Sequence, residues 1–288
     1  MTDSTSKRNF SVLSCPGRIE RFGYKGSGEP RSVARVVSAH GDYYHLVCNE
    51  AEGEVLARKK KSAFRDPGAI RPITGDFVTF VHNDCGESMI TRVLPRFSKF
   101  ERKDPAARRK SQTLAVNFDV LFIMMAANED FSLPRLKRFL DLAENVGEAE
   151  VVVVLTKVDL GDRELETDKR LVKLSTVDGT GMDEIREIVA PGRTVAFIGS
   201  SGVGKSTLVN ALAGEDWQAT QDIQEWSGKG RHTTTSRELI MLPNGAMAID
   251  TPGIREIGRI GEEDVKLAKG MSTHRYRERG NENSRQGN

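Results

Sequence analysis

Residues 199 to 207 read Gly199-Ser200-Ser201-Gly202-Val203-Gly204-Lys205-Ser206-Thr207. This is the pattern of a P-loop, and it lies between a predicted strand at residues 194–198 and a predicted helix at residues 205–212. Glycines let backbone N–H groups converge on phosphate oxygens at a helix N-terminus. All nine residues are therefore predicted to bind a nucleotide, with Lys205 as a catalytic cation on the β- and γ-phosphates and the Ser206 hydroxyl on Mg²⁺. The alternative interpretation is a Gly-rich strand-to-helix turn without a ligand.

The sequence around this segment predicts a doubly wound α/β sheet. Apolar runs without alternation, at residues 119–125 and 151–155, are typical of parallel strands covered on both faces. Between them, Ser132 and Pro134 begin a predicted helix whose apolar spacing continues to Val146, and Gly147 ends it. Further strand and helix patterns at residues 171–189 and 194–212 extend the alternation.

A second phosphate element follows the apolar run at residues 246–249. Asp250-Thr251-Pro252-Gly253 fits the D-x-x-G pattern of GTPases. Asp250 is predicted to support Mg²⁺, partly through water, and the N–H group of Gly253 is predicted to face the γ-phosphate. The same four residues also suit a plain turn, but their position relative to the P-loop favours the nucleotide role.

Two further segments predict a site for guanine. Thr156-Lys157-Val158-Asp159 resembles the [NT]-K-x-D element, in which Asp159 would accept hydrogen bonds from guanine N1–H and the 2-amino group. Adenine offers neither donor, so the carboxylate would be left unpaired. Lys157 would lay its aliphatic stem along the base, and Thr156, which stands where most GTPases have Asn, alters one contact. Ser175-Thr176 is predicted to offer a backbone N–H group to guanine O6.

The order of these elements is circularly permuted. An ordinary GTPase has the P-loop first, whereas here the guanine elements precede the P-loop and D-x-x-G. Permutation leaves such a site intact, because all of these loops lie at the carboxyl ends of parallel strands. The sequence therefore predicts a circularly permuted P-loop GTPase domain.

The N-terminal third has a different pattern. About five short strands with alternating apolar residues, separated by turn formers, predict an OB-type barrel over residues 32–95. The predicted domains are an N-terminal extension at 1–31, the barrel at 32–95, the GTPase domain at 96–258 with a basic connector at its start, and a short basic tail at 259–288.

The segment between the P-loop and D-x-x-G predicts a switch. It contains Gly228-Lys229-Gly230-Arg231-His232-Thr233-Thr234-Thr235, and we expect Thr234 to close on Mg²⁺. Ile254 occupies the place of the catalytic Gln of Ras-like enzymes and cannot orient water. Intrinsic hydrolysis should therefore be slow, and His232 is the hypothetical substitute.

Charge and apolar runs limit the localisation and the partners that the sequence predicts. The 288 residues carry a formal net charge of +2, and the longest apolar runs are too short to cross a bilayer. We expect a cytoplasmic monomer with no membrane partner. Three basic segments, at residues 58–71 and 96–110 and from Lys266 onward, would suit a phosphate backbone, although each would equally suit a solvated face.

Taken together, these motifs resemble the small-ribosomal-subunit GTPase family called RsgA or YjeQ. The resemblance covers residues 33–256 and includes Leu94-Pro95-Arg96 and Ala115-Val116-Asn117-Phe118-Asp119. It implies a late assembly factor that binds the 30S subunit, contacts 16S rRNA through its barrel and basic surfaces, and hydrolyses GTP faster when docked. The family ends in a zinc domain with three cysteine ligands and one histidine, but no cysteine follows Cys85, so we expect no zinc.

Three alternatives remain open from the sequence. One is a permuted GTPase of large-subunit assembly, against which the barrel argues. Another is a nucleotide-sensing RNA-binding or ribosome-binding paralogue with negligible turnover, which Ile254 favours. The last is a P-loop ATPase, which residues 156–159 disfavour.

Overall fold

A computed structural model describes residues 17–26, 33–66, 68–83, 85–103, 111–161, 163–214 and 238–250. The chain divides into two compact units, Met1–Arg96 and Phe97–Asn288. None of the helices in the described ranges has the length and apolar character needed to cross a membrane.

The first unit is a closed five-stranded barrel. After a short helix α1 (Arg18–Arg21), it contains β1 (Val33–His40), β2 (Tyr43–Cys48), β3 (Val55–Lys59), β4 (Phe77–Val81) and β5 (Ser88–Val93). The strands follow the order β1-β2-β3-β5-β4, and β4 pairs back with β1. Only the β3–β5 pairing among these five is parallel. The predicted OB-type barrel is confirmed.

One buried ion pair joins the end of the first unit to the barrel. The Asp76 side chain is fully buried, and Arg96 contacts it with both Nε–Oδ1 and Nη2–Oδ2 distances of 2.8 Å. The Ile73 N–H group donates to Asp76 Oδ2 at 2.8 Å. Burial raises the pKa of Asp76, while the Arg96 guanidinium acts in the opposite direction. Arg96, the last residue of the predicted Leu-Pro-Arg motif, therefore compensates a carboxylate that could not otherwise be buried.

The second unit is built on a mostly parallel sheet. Its strands are β6 (Lys99–Lys103), β7 (Ser111–Val116), β8 (Val120–Ala126), β9 (Glu150–Thr156), β10 (Arg170–Leu174), β11 (Thr194–Gly199), β12 (Glu238–Met241) and β13 (Met247–Asp250). Its helices are α2 (Leu133–Leu142), α3 (Met182–Ile188) and α4 (Lys205–Ala213). The main sheet has the order β10-β9-β8-β11-β13-β12, in which β12 alone is antiparallel to its neighbour β13. All seven residues of β8 are buried, and the predicted doubly wound sheet is confirmed.

Strand order determines where a ligand can bind in this sheet. From β8 the chain adds β9 and β10 on one side, and it then returns to place β11 on the other side of β8. Such a reversal opens a crevice at the carboxyl ends of the strands, which is where open α/β sheets bind ligands. Here the crevice lies between β8 and β11.

The structure corrects two expectations for the second unit. The predicted basic connector contains an antiparallel hairpin of β6 and β7. The sequence did not predict these strands, because the fully buried Phe100 lies among charged neighbours that hide the alternation. The helix predicted to reach Val146 ends at Leu142. Gly147 instead adopts a φ of 84° and forms an isolated bridge with Ser98.

The motif at residues 115–119 holds the base of the sheet. Asn117 is buried with a φ of 52°, and its Oδ1 accepts a hydrogen bond from Phe97 N–H at 3.2 Å. Asp119 Oδ2 accepts one from Thr194 N–H at 2.7 Å. The motif thereby fixes the starts of β8 and β11, the two strands that border the crevice.

Candidate nucleotide-binding site

The predicted site residues lie at the carboxyl ends of neighbouring strands. The P-loop follows β11, Thr156 is the last residue of β9, Ser175 follows β10, and Asp250 ends β13. In the sheet register Leu174 lies beside Thr156, Thr156 beside Ala126, and Met124 beside Gly199. The strand order therefore brings the phosphate and guanine elements to one edge of the sheet.

Glycines give the P-loop its shape. Gly202 has a φ of 75° and Gly204, at the start of α4, a φ of 103°, and this left-handed region strongly favours glycine. Gly199 has another reason, since a Cβ atom there would lie 2.8 Å from both Met124 O and Val203 Cγ1. Val203 is 2% exposed and anchors the loop in the core. Any side chain at Gly199 would push the loop away from β8.

Lys205 reaches back across the loop. Its Nζ donates to the carbonyl oxygens of Gly199 at 2.5 Å and Ser200 at 2.7 Å. No side chain in the described ranges caps the N-terminus of α4, so the helix end presents backbone N–H groups and a cation together. That combination is the physical basis of phosphate binding. Ser206 is half-buried in the first turn of α4, while Ser201 and Thr207 are exposed.

Thr156 makes contacts that the sequence did not reveal. It is 5% exposed, and its Oγ1 lies 2.7 Å from Val203 O and 3.2 Å from Met125 O. The first contact joins residues 47 positions apart, so no local pattern could have indicated it.

The segment after Thr156 is shaped by its backbone. Lys157 adopts a left-handed conformation with a φ of 59°, and a 3₁₀ turn at Val158–Leu160 follows it. The Asp159 side chain is exposed in this turn. Arg163 Nε donates to Ala127 O at 2.9 Å, which fastens the segment to the end of β8. The structure thus presents Asp159 to solvent beside the crevice.

The loop after β10 is a compact turn closed on Ser175. Its Oγ accepts from Val177 N–H at 3.2 Å and Asp178 N–H at 3.4 Å, and its carbonyl accepts from Gly179 N–H at 3.1 Å. Thr180 N–H donates to Asp178 Oδ1 at 2.9 Å, and this hydrogen bond is the main cause of the lowered pKa of the Asp178 carboxyl. Within the described part of the chain, no acceptor is assigned to Thr176 N–H, the donor predicted for guanine O6.

The glycine that ends this turn was missed by the sequence analysis as a site residue. Gly181 has a φ of 73°, and a Cβ atom there would lie 2.1 Å from Lys173 O. It lets the loop fold back tightly against β10. The paired Gly179 and Gly181 in the sequence were the available signal.

Two of the three residues predicted to hold Mg²⁺ lie at or after the ends of neighbouring strands of the sheet. Hydroxyl and carboxylate oxygens are the ligands that Mg²⁺ prefers; Ser206 follows β11, and Asp250 ends the adjacent strand β13. His232, Thr234 and Gly253 lie outside the described residues, and for Asp250 only the backbone is described. Ser206 and Asp250 therefore belong to the segments at the carboxyl ends of the neighbouring strands β11 and β13. The roles of His232, Thr234 and Gly253 stay predictions.

Comparisons with known proteins agree with this geometry. A family model described as RsgA GTPase matches residues 93–260. The chain is 40% identical over 235 residues to small ribosomal subunit biogenesis GTPase RsgA 2 of Lactiplantibacillus plantarum, covering 78% of this chain and 66% of that protein. It is 41% identical over 212 residues to the RsgA of Methanosarcina acetivorans, covering 70% and 57%.

A solved structure is similar to this chain over most of its length. The crystal structure of YjeQ from Thermotoga maritima matches with a TM-score of 0.56 and 25% sequence identity, over 78% of this chain and 76% of that one. The two curated relatives extend further, since the chain spans less than two thirds of the length of each.

Proposed function

The chain belongs to the RsgA GTPase family, and we propose that it binds and hydrolyses GTP as a factor in late maturation of the 30S ribosomal subunit. The observation that carries the proposal is the convergence of the P-loop with residues 156–159 and 175–176 at one edge of the sheet. The relatives named above are themselves called small ribosomal subunit biogenesis GTPases.

Recognition of GTP divides between two ends of the crevice. The N–H groups of the P-loop and the Lys205 ammonium would hold the phosphates, so Lys205 must exchange its contacts with Gly199 O and Ser200 O for phosphate oxygens. Asp159 would accept from guanine N1–H and the 2-amino group, and Thr176 N–H would donate to O6. Adenine has an acceptor at N1, a donor at position 6 and only a C–H group at position 2, so ATP should compete poorly.

A magnesium ion would be held by Ser206, Asp250 and Thr234, with Asp250 acting partly through water. When bound, such an ion neutralises charge that develops on the transferred phosphoryl group. Lys205 would contribute charge at the same oxygens, and His232 would orient the attacking water, since Ile254 cannot.

Binding to 16S rRNA is proposed for the barrel and its basic surface. The Arg58 guanidinium lies 4.2 Å from the Tyr43 ring centroid on the outside of β2 and β3, and exposed Lys60, Lys61 and Arg65 follow in the chain. Cations beside an exposed aromatic ring suit RNA, which offers phosphates and unstacked bases. We propose that the protein binds 16S rRNA as a cytoplasmic monomer.

The experiment that tests the proposal is GTP hydrolysis with and without purified 30S and 50S subunits. We expect slow intrinsic turnover that 30S stimulates selectively. Lys205→Ala should abolish both the intrinsic and the 30S-stimulated turnover. His232→Ala should remove most of the stimulation and leave GTP binding intact. Stimulation by 50S alone would contradict the proposed role in 30S maturation. Unchanged stimulation in His232→Ala would contradict the catalytic role of His232.

Ile254 favours a second function. A nucleotide sensor would bind GTP and 30S but would turn over negligibly even in the complex. Tight GTP binding without stimulated hydrolysis in the same assay would support this alternative.

A further inference from the structure

We infer that Arg163 is a positioning residue for guanine recognition: by binding the loop that follows β8, it fixes the turn that carries Asp159. The inference rests on the proposed GTP site, in which Asp159 accepts from guanine N1–H and the 2-amino group. It deepens that proposal by naming what holds the carboxylate in place.

The turn that carries Asp159 has no buried side chain of its own. Lys157 and Val158 are half-buried, while Asp159 and Leu160 are exposed, Leu160 by 66%. Lys157 also has a φ of 59°, which is unfavourable for a residue with a Cβ atom. Apolar burial therefore does not fix this turn, and its conformation depends on the contacts of the residues that flank it.

Arg163 connects the downstream end of the turn to the loop after β8. Its Nε donates to Ala127 O at 2.9 Å, and its Cζ atom lies 5.0 Å from the Phe131 ring centroid. Gly161 lies against the same carbonyl, since a Cβ atom there would be 3.3 Å from Ala127 O. Ala127 is 2% exposed, and its N–H group donates to Thr156 O at 2.7 Å. Ala127 thus binds the chain on both sides of the turn.

The loop that receives Arg163 is itself held by hydrogen bonds. Phe131 N–H donates to Asn128 O at 3.0 Å, and Asp130 N–H donates to Asn128 Oδ1 at 3.2 Å. Ser132 then caps α2. Because a cation is attracted to the face of an aromatic ring, the half-buried Phe131 ring gives the Arg163 guanidinium a fixed surface.

Guanine recognition depends on how precisely the carboxylate is held. Asp159 can accept both hydrogen bonds only when its oxygens face the N1–H and 2-amino groups directly. Inosine triphosphate, ITP, retains N1–H but lacks the 2-amino group, so the ratio of GTP affinity to ITP affinity measures how well Asp159 meets that group. If Arg163 positions Asp159, loss of the Arg163 contacts must lower this ratio and not only the affinity.

The test compares the wild type with Arg163→Met by competition binding of GTP and ITP. R163M keeps an apolar stem but loses the Nε donor and the cation, and it should lower the GTP to ITP ratio about fivefold. Arg163→Lys keeps the cation and should lower the ratio less. If R163M does not fold, Phe131→Leu removes the ring face and should lower the ratio in the same direction.

Two further variants separate positioning from a general loss of stability. Arg135→Met is the matched control, since it removes the same charge from a residue bound to the same loop, with Arg135 Nη1 donating to Asp130 O at 3.4 Å. It should leave the ratio unchanged. Asp159→Ala removes the carboxylate itself, so R163M added to D159A should not lower the ratio further, because both changes act on one interaction.

The outcomes are distinguishable. An unchanged ratio in R163M, equal weakening of both nucleotides, or a further fall of the ratio in the D159A background would overturn the inference and leave the proposed GTPase function in place. Equal wild-type affinities for GTP and ITP would also overturn it, since Asp159 would then not meet the 2-amino group. Failure of the wild-type protein to bind GTP would overturn both.

Discussion

At the scale of single residues, the Asp76–Arg96 pair offers a direct test of electrostatics in the barrel. Arg96→Met keeps an unbranched apolar stem but leaves the fully buried Asp76 carboxylate without its cation. We expect the free energy of unfolding to fall by about 3 kcal/mol at pH 7. Chemical denaturation of both proteins measures the difference. Lys99→Met is the matched control, since its pair with Glu101 at 3.3 Å is partly exposed and should be worth about 1 kcal/mol or less.

The same variant predicts a pH dependence of stability. Burial already raises the pKa of Asp76, and loss of Arg96 should raise it further above the value of about 3.9 expected in the unfolded chain. As pH rises from the unfolded pKa of Asp76 towards its higher folded pKa, the unfolded state ionises first and the variant loses stability. The deficit of Arg96→Met should therefore shrink as pH falls from 7 towards 4. A deficit that does not change with pH would mean that Asp76 is not the group responsible.

At the scale of elements, the turn after β10 allows the cost of a left-handed backbone to be separated from the cost of a steric clash. Gly179 and Gly181 both have positive φ angles, but a Cβ atom meets nothing within 4 Å at Gly179 and lies 2.1 Å from Lys173 O at Gly181. Gly179→Ala should cost only the left-handed backbone penalty of about 1 kcal/mol, whereas Gly181→Ala must also displace the loop. We expect only Gly181→Ala to weaken GTP binding strongly, and equal effects in the two variants would contradict this.

Elements with a local signature were predicted well from the sequence. Ser132 caps α2 by accepting from Arg135 N–H, and the uninterrupted apolar run of β8 identified a buried parallel strand. The β6 strand was missed because its one inward aromatic, Phe100, lies among lysine, glutamate and arginine. The hydroxyl contact of Thr156 and the buried Asp76–Arg96 pair were also beyond reach, because each depends on residues that meet only after folding.

At the scale of the whole molecule, strand order explains why circular permutation is compatible with the site. Each predicted recognition element belongs to the carboxyl end of one strand, and its position depends on sheet neighbours such as β8 beside β11, not on its place along the chain. The motif order predicted permutation correctly. Sequence could not predict that a side chain of the guanine element would bind the P-loop directly.

The position of β11 beside β8 also has a consequence for synthesis. The ribosome makes β8, β9 and β10 first, and these form one contiguous side of the sheet, while the β11 partner of β8 begins only at Thr194. Until that strand emerges, a nascent chain carries the entirely apolar β8 with an unpaired backbone edge, which is the kind of segment that recruits other chains. In this chain order, synthesis therefore passes through an interval in which the half-built sheet has an apolar strand at its open edge.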